Sequence, residues 1–229
     1  MTDIPSIIER PGSVIYDLST PGQAKITLPL SSTWSSGLHW HEQHDEYLRV
    51  VKGSIRVRLG DTVQTISAGQ PEVKVAKNVW HEWRRAEATG EEVVVVERTE
   101  PEDGEKALFF WNLNGVILNA AADVSRFSGG WAPGALKGLI IELWITLNLF
   151  VIFAHLDNVP VFLDAPKVLG FGSAASSPLD TIVSRVILLL ARWIGSILGL
   201  RPVQRRFTPA EVHDAWWSSR GGEENRKHV

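Results

Sequence analysis

The stretch His39–Glu46 gathers three of the chain's seven histidines, His39, His41 and His44, with Glu42, Asp45 and Glu46. Imidazole nitrogens and carboxylate oxygens at that density are donors that divalent transition metals accept. The chain has no cysteine, so an ion here would be held by histidine, carboxylate and water. Residues two apart on a strand point to one side, which sets His39 and His41 side by side toward a single ion. Glu46 is the better-placed carboxylate because it opens the next alternating run, and His81, in AKNVWHEWRRA, is a further imidazole near the start of a later strand. His44 falls off the alternation and reads either as a general acid or base beside the ion or as an exposed loop histidine. Arg85 shares parity with His81 and is the candidate catalytic contact to a substrate carboxylate or phenolate; a solvated strand face is its alternative. Trp83, two residues after His81, is expected to wall the substrate pocket or to pack in the core. Trp40, between the two histidines, is expected to point away from them and pack.

These side chains need a rigid frame, and the surrounding sequence describes one. Between Ser13 and Arg98, short β-rich runs such as AKITLPL, EYLRVVKG, SIRVRLG and EEVVVVE alternate with breaks at Pro21-Gly22, Gly53, Gly60-Asp61 and Thr89-Gly90. Many short strands at even spacing predict an all-β sandwich or barrel. In SIRVRLG the apolar Ile55, Val57 and Leu59 alternate with Arg56 and Arg58, the pattern of a half-buried antiparallel strand. After the acidic segment Glu97–Glu105 the pattern turns helical, with a helix expected over Lys106–Ala122 and two strongly apolar segments, Leu136–Leu156 and Ile182–Leu200. Ser177-Pro178-Leu179-Asp180 carries an N-cap serine, a proline at the first helical position and an early acid. Thr208-Pro209-Ala210-Glu211 repeats that device before a short terminal helix, with fraying expected from Ser218. The organisation expected is a β-barrel over residues 1–105 and a helical extension over 106–229.

Gly37, His39, His41, Glu46 and Gly53 fit the spacing of the first cupin motif, H-x-H followed by Glu and then Gly. The second motif, P-x-G-x-x-H-x-x-x-N, is matched more loosely: Ala76 stands for the Pro, Asn78 for the Gly, His81 is kept, and Arg85 stands for the Asn. Asn tolerates the left-handed backbone better than most residues, so Asn78 is a mild departure. The first half of the chain thus resembles the cupin superfamily. The resemblance implies a small antiparallel β-barrel or jelly roll, with His39, His41, Glu46 and His81 holding one divalent ion (Fe, Mn, Zn, Ni, Co or Cu) in its mouth. Histidines on apolar strands are often hydrogen-bonded core residues, and some cupins keep the barrel without the metal; here all four ligand positions are filled in register. The layout, a short cupin followed by apolar helices, is also similar to fungal cupins encoded beside natural-product biosynthetic enzymes.

The implied activity is metal-dependent chemistry on a small apolar oxygenated substrate, aromatic or polyketide-like: oxygenation, or redox-neutral decarboxylation, isomerisation or cyclisation. A non-catalytic ligand-binding cupin is the alternative. A formal charge of -3 argues against nucleic acid as a partner. Leu136–Leu156 is long enough to span a membrane, but Glu142, Thr146 and Asn148 interrupt it. Ile182–Leu200 carries Arg185, Arg192 and Ser196 on one stripe with apolar residues around it, which suggests a helix lying in an interface. Glu142 is expected to pair with Arg185 or Arg192 if the two helices form a hairpin. The helices therefore either dock on a membrane surface or are covered by the barrel and a second subunit of a homodimer. The N-terminus lacks the order of a secretory signal, so the chain is expected in the cytoplasm or on the cytoplasmic face of a membrane.

Overall fold

The computed structural model describes residues 4–128, 134–164 and 178–226. Strand alternation decides what faces the barrel interior. In SIRVRL, Ile55 and Val57 are fully buried while Arg56 is exposed, as a period of two requires. The strands are β1 (Ile7–Arg10), β2 (Val14–Asp17), β3 (Gln23–Leu28), β4 (His39–Trp40), β5 (Asp45–Lys52), β6 (Ser54–Leu59), β7 (Thr62–Ser67), β8 (Val73–Val75), β9 (His81–Arg85), β10 (Val93–Glu100) and β11 (Val159–Pro160). They form two antiparallel sheets, one ordered β1-β2-β3-β10-β5-β8 and the other β11-β4-β9-β6-β7. The chain is thus a mainly-β barrel followed by helices. Ile26, Leu28, Leu48, Val50 and Val95 fill its interior. β1 and β11 are additions to the strands expected from the sequence.

Turn chemistry holds the strands in register. Gly53, between β5 and β6, has a φ of 72°, and a Cβ there would lie 2.9 Å from Val93 Cγ2 and 3.0 Å from the Glu92 carbonyl oxygen. Only glycine meets both demands. Asn78 takes the left-handed conformation, φ 63°, and its N–H donates to the His41 carbonyl at 2.7 Å. The asparagine thus serves where glycine was expected, and it ties the loop before β9 to the end of β4.

Four helices follow: α1 (Glu105–Ser128), α2 (Gly134–Phe153), α3 (Pro178–Ile197) and α4 (Ala210–Arg226). α1 closes one end of the barrel with Leu108, Phe109 and Phe110, and α2 packs on α1. Inside α1, the buried Asn112 donates to Thr208 Oγ1 at 3.0 Å and accepts from the Gln204 N–H at 2.7 Å, which fastens the segment before α4. α3 starts at Pro178 with Asp180 in its first turn, while Ser177 lies outside the described residues. It buries only a narrow edge, Asp180, Ser184, Leu188, Ala191 and Gly195. A Cβ on Gly195 would fall 2.4 Å from Val151 Cγ2, so the glycine permits close contact with α2.

Two details differ from the sequence expectation. Arg185 pairs with Glu42 at 2.8 Å, on the barrel loop, rather than with Glu142, which is exposed. α4 continues past Ser218 to Arg226 because Arg220 is anchored, donating to Glu105 at 2.8 Å and to the His155 carbonyl at 3.2 Å. β11, which follows α2, returns to pair with β4, Val159 opposite Trp40 and Pro160 opposite His39. On the outer face of β4, Trp40 stacks on Trp80 with ring centroids 5.9 Å apart and is covered by Val159 and Leu188. The helical extension therefore supports the strand that carries His39 and leads into His41.

Candidate metal centre

Register brings the histidines together before any tertiary contact is considered. β4 and β9 run antiparallel with His39 directly opposite His81, and their rings lie 4.2 Å apart. His41, just beyond the end of β4, brings its ring to 5.0 Å from His39 and 5.3 Å from His81. Glu46 enters from β5 of the opposite sheet. The structure gathers His39, His41, Glu46 and His81 into one buried cluster whose ligand atoms all lie within 4.8 Å of one another.

The proton positions in this cluster follow from its outer hydrogen bonds. His39 Nδ1 donates to the Gly37 carbonyl at 2.8 Å, His81 Nδ1 to the Val79 carbonyl at 2.9 Å, and His41 Nδ1 to the Asp157 carbonyl. A neutral imidazole that donates from Nδ1 carries its lone pair on Nε2, so three lone pairs turn toward Glu46. Burial, reinforced by His81 and His41, holds His39 well below the usual histidine range, which favours the neutral ring. His81 Nε2 and Glu46 Oε2 are 3.0 Å apart, yet neither makes a hydrogen bond, and His41 Nε2 makes none either. Two acceptors at 3.0 Å repel each other, a repulsion that a bound metal ion or a proton on Nε2 relieves. The donor set fits a divalent metal of the imidazole-and-carboxylate class.

Sequence reasoning missed the residues that surround this cluster. Lys106, in the first turn of α1, is buried and inserts into the barrel, where its Nζ donates to Glu46 Oε1 and, at 3.1 Å, to Glu97 Oε2. Burial opposes ionisation of Glu46, but Lys106 overrides it and holds the carboxyl well below its usual range. Burial raises Glu97 despite the same lysine. Asp157, beyond α2, accepts the N–H groups of Glu42, Gln43 and His44 at 2.8, 2.9 and 3.1 Å. Its own φ is 42°, the left-handed region. One aspartate from the helical extension thus pins the loop between His41 and Glu46, and its carbonyl sets the His41 tautomer. No local pattern marks either residue, since both act over long sequence separations.

The other expected site residues lie elsewhere or act differently. His44 borders the cavity, but Nδ1 donates to Asp157 at 2.7 Å and Nε2 to Asp103 at 2.8 Å. Hydrogen bonds to Asp103 and Asp157 raise it to about 9, so it is held as an imidazolium with no lone pair for a substrate proton. With both ring nitrogens bonded to carboxylates, it also clamps the barrel to the segments before α1 and after α2. Arg85, expected to contact substrate, does not line the cavity over the cluster. Buried beneath neighbouring loops, it donates to the carbonyls of Leu28, Pro29, Glu87 and Glu91 at 3.2, 2.9, 3.3 and 2.6 Å. Trp83 is fully buried and does not line the cavity; its Nε1 donates to Glu97 at 2.6 Å, and its ring lies 4.9 Å from that of Trp34. Trp34 takes the expected place on the wall.

A cavity of about 270 Å³ covers the cluster. Its polar floor includes His39, His41 and Glu46, and its roof is apolar, formed by Phe109, Leu113 and Phe153 of the helices. A small pocket with a few convergent polar groups under an apolar cover suits a small, largely apolar ligand.

No family model matches the chain, and no curated protein matches it. Among solved structures, it is similar to a predicted oxalate decarboxylase from Thermotoga maritima, at 21% identity over 34% of this chain and 63% of that one, TM-score 0.30. This chain therefore spans less than two thirds of that protein's length. It is also similar to an uncharacterised Klebsiella pneumoniae protein with a double-stranded β-helix domain, at 15% identity over 43% of this chain and 81% of that one, TM-score 0.34. A third similar structure is KdgF from a Halomonas species, at 18% identity over 42% of this chain and 77% of that one, TM-score 0.30. Each likeness is partial and covers less than half of this chain.

Proposed function

We propose that the chain is a metal-dependent enzyme of the cupin type, acting on a small, apolar, oxygen-bearing substrate of aromatic or polyketide-like character. The observation that carries this reading is the convergence of His41 Nε2, His81 Nε2 and Glu46 Oε2, buried and without hydrogen-bond partners, in a cluster of which His39, His41 and Glu46 line the cavity. A bound divalent ion would supply Lewis acidity toward a carbonyl, enol or phenol oxygen and, if redox-active, electron transfer. The protein's own contributions are distinct. Phe109 and Phe153 exclude water from above, Trp34 offers a flat wall, and Lys106 keeps a proton on Nζ and so keeps Glu46 ionised. The reaction class is oxygenation or a redox-neutral decarboxylation, isomerisation or cyclisation, in secondary-metabolite biosynthesis. The test is turnover of a panel of phenols and enols in air and under anaerobic conditions, with oxygen uptake and product mass recorded for wild type and His81→Ala. Consumption of oxygen selects the first class, and anaerobic turnover the second. Stoichiometric retention of a compound without turnover would replace both with a ligand-binding role.

A lipid surface as partner is supported by the outer faces of α2 and α3. Leu139, Leu143, Ile182, Leu189, Trp193 and Ile197 are each more than half exposed, far more apolar surface than scattered residues would give. Arg192 and Arg201 are exposed on and just beyond α3, the placement expected where anionic headgroups meet an interfacial helix. Among the described residues, two helices are long and apolar enough to cross a membrane, over Glu105–Arg126 and Leu136–Phe153; the first also forms the cover of the barrel. Co-sedimentation with vesicles containing phosphatidylglycerol, lost in Leu189→Asp with Trp193→Asp, is the expected result. A stable dimer in solution with no vesicle binding would assign the face to a second copy instead.

A further inference from the structure

We propose that Arg10 and Tyr16 form an anion-binding subsite in the cavity wall, one that takes a carboxylate or phenolate carried by the substrate; this rests on the enzyme reading above. Both residues line the cavity from β1 and β2, on the sheet opposite the three histidines. Arg10 Nη2 donates to Tyr16 Oη at 2.8 Å, and its Cζ sits 5.6 Å from the centre of the Tyr16 ring. Tyr16 is held in turn by the ring of Phe110, 4.7 Å away, and by Trp34, 6.4 Å away. The guanidinium is therefore braced on a fixed aromatic surface.

Its charge is what sets Arg10 apart. Among the described residues, the other charged side chains that line the cavity have an opposite charge within ion-pair distance: Glu46 and Glu97 have Lys106, His44 and Asp157 have each other, and Glu105 has Arg220. Among the described residues no carboxylate pairs with Arg10, and its Nε, shut off from solvent, has no acceptor. A guanidinium suits planar oxyanions because its N–H groups match two oxygens at once. Tyr16 Oη accepts from Arg10 and keeps its own proton to donate, and burial, the largest influence, pushes its ionisation up to about 12. The ligand class that follows has an anionic end at Arg10, an apolar body beneath Phe109 and Phe153, and an oxygen facing the metal ligands.

The test uses the full chain and two probes, 2-naphthoate and 2-naphthamide, which share a flat apolar body and differ in charge. Binding is followed by quenching of tryptophan fluorescence, with metal content measured on the same samples. Wild type is expected to bind the naphthoate at least tenfold more tightly than the amide. Arg10→Gln should erase that preference while leaving amide affinity and metal content unchanged, and Arg10→Lys should restore part of it. The subsite is overturned if wild type shows no preference, if neither probe binds, or if Arg10→Gln keeps the wild-type ratio. A protein that holds no metal yet prefers naphthoate through Arg10 would refute the metal reading and leave the subsite standing. Full metal content with a preference indifferent to Arg10 would do the reverse.

Discussion

Replacing Asp157 with alanine deletes one carboxylate that three backbone N–H groups and the His44 imidazolium share. Hydrogen bonds to a charged group are worth roughly 1.5–3 kcal/mol each, but they do not add simply, and water can replace the bond to the exposed Gln43. The buried part, His44 with its own N–H, resembles a buried ion pair with one partner removed, for which about 3–5 kcal/mol is usual. For a chain of this size that lowers the melting temperature by roughly 6–20 °C. Asp157 also pins the loop joining His41 to Glu46, so metal affinity should fall about 10–100-fold, the range for residues that orient ligands. Asp103→Ala is the internal comparison: it also removes a partner of His44, but its side chain is 40% exposed against 3% for Asp157. Screening by water should limit its cost to about 1 kcal/mol or less. The assays are thermal unfolding by circular dichroism and competition with a chromophoric chelator. If Asp157→Ala melts within about 2 °C of wild type, or costs no more than Asp103→Ala, the hub assigned to Asp157 is wrong.

Arg85→Met should destabilise by about 2–4 kcal/mol, because it leaves carbonyls of two loops without their shared donor, and should leave metal content at the wild-type level. Arg85→Lys should not rescue it, since one ammonium cannot span the same acceptors; a variant that melts like wild type but loses turnover would return Arg85 to a substrate role. The acid limb of stability is expected to depend on Asp123, which Arg206 holds below the usual aspartate range through two contacts of 2.7 Å. A carboxyl depressed in the folded state stabilises above its unfolded value and loses that contribution as pH falls through the folded one. The loss should therefore appear below about pH 4. Asp123→Asn should flatten the melting-temperature profile there, and an unchanged acid limb would contradict the pairing.

The buried cluster of candidate ligands was legible because strand parity and spacing act locally: His39 and His41 share a face, and Asn78 could be read as the left-handed residue of its turn. The same parity argument placed Arg85 and Trp83 on the inward face of β9, and both do point inward and are buried. What parity does not give is depth. Each pair of residues advances about 6.7 Å along a strand, so Trp83 and Arg85 lie one and two steps further into the barrel than His81. Lys106, Asp103 and Asp157 were illegible for a different reason. They reach the site from helical or loop segments 59 or more positions away from the residue each one contacts, Glu46, His44 or His41, where no alternation or spacing connects them. β1 was missed because its burial pattern is half solvent-facing and its run is short, and with it Arg10.

Elemental analysis of the purified full chain and of His81→Ala, each loaded with an excess of iron, manganese, zinc or cobalt and then desalted, tests the metal assignment most directly. His81 contributes a buried Nε2 with no hydrogen-bond partner, so its loss removes a candidate ligand at the cost of one local hydrogen bond, from Nδ1 to the Val79 carbonyl. The expected result is about one ion per chain in wild type. His81→Ala should lose that ion while its far-ultraviolet circular dichroism still reports a folded barrel. A full equivalent of metal in folded His81→Ala, or none in wild type from any of the four metals, would contradict the assignment.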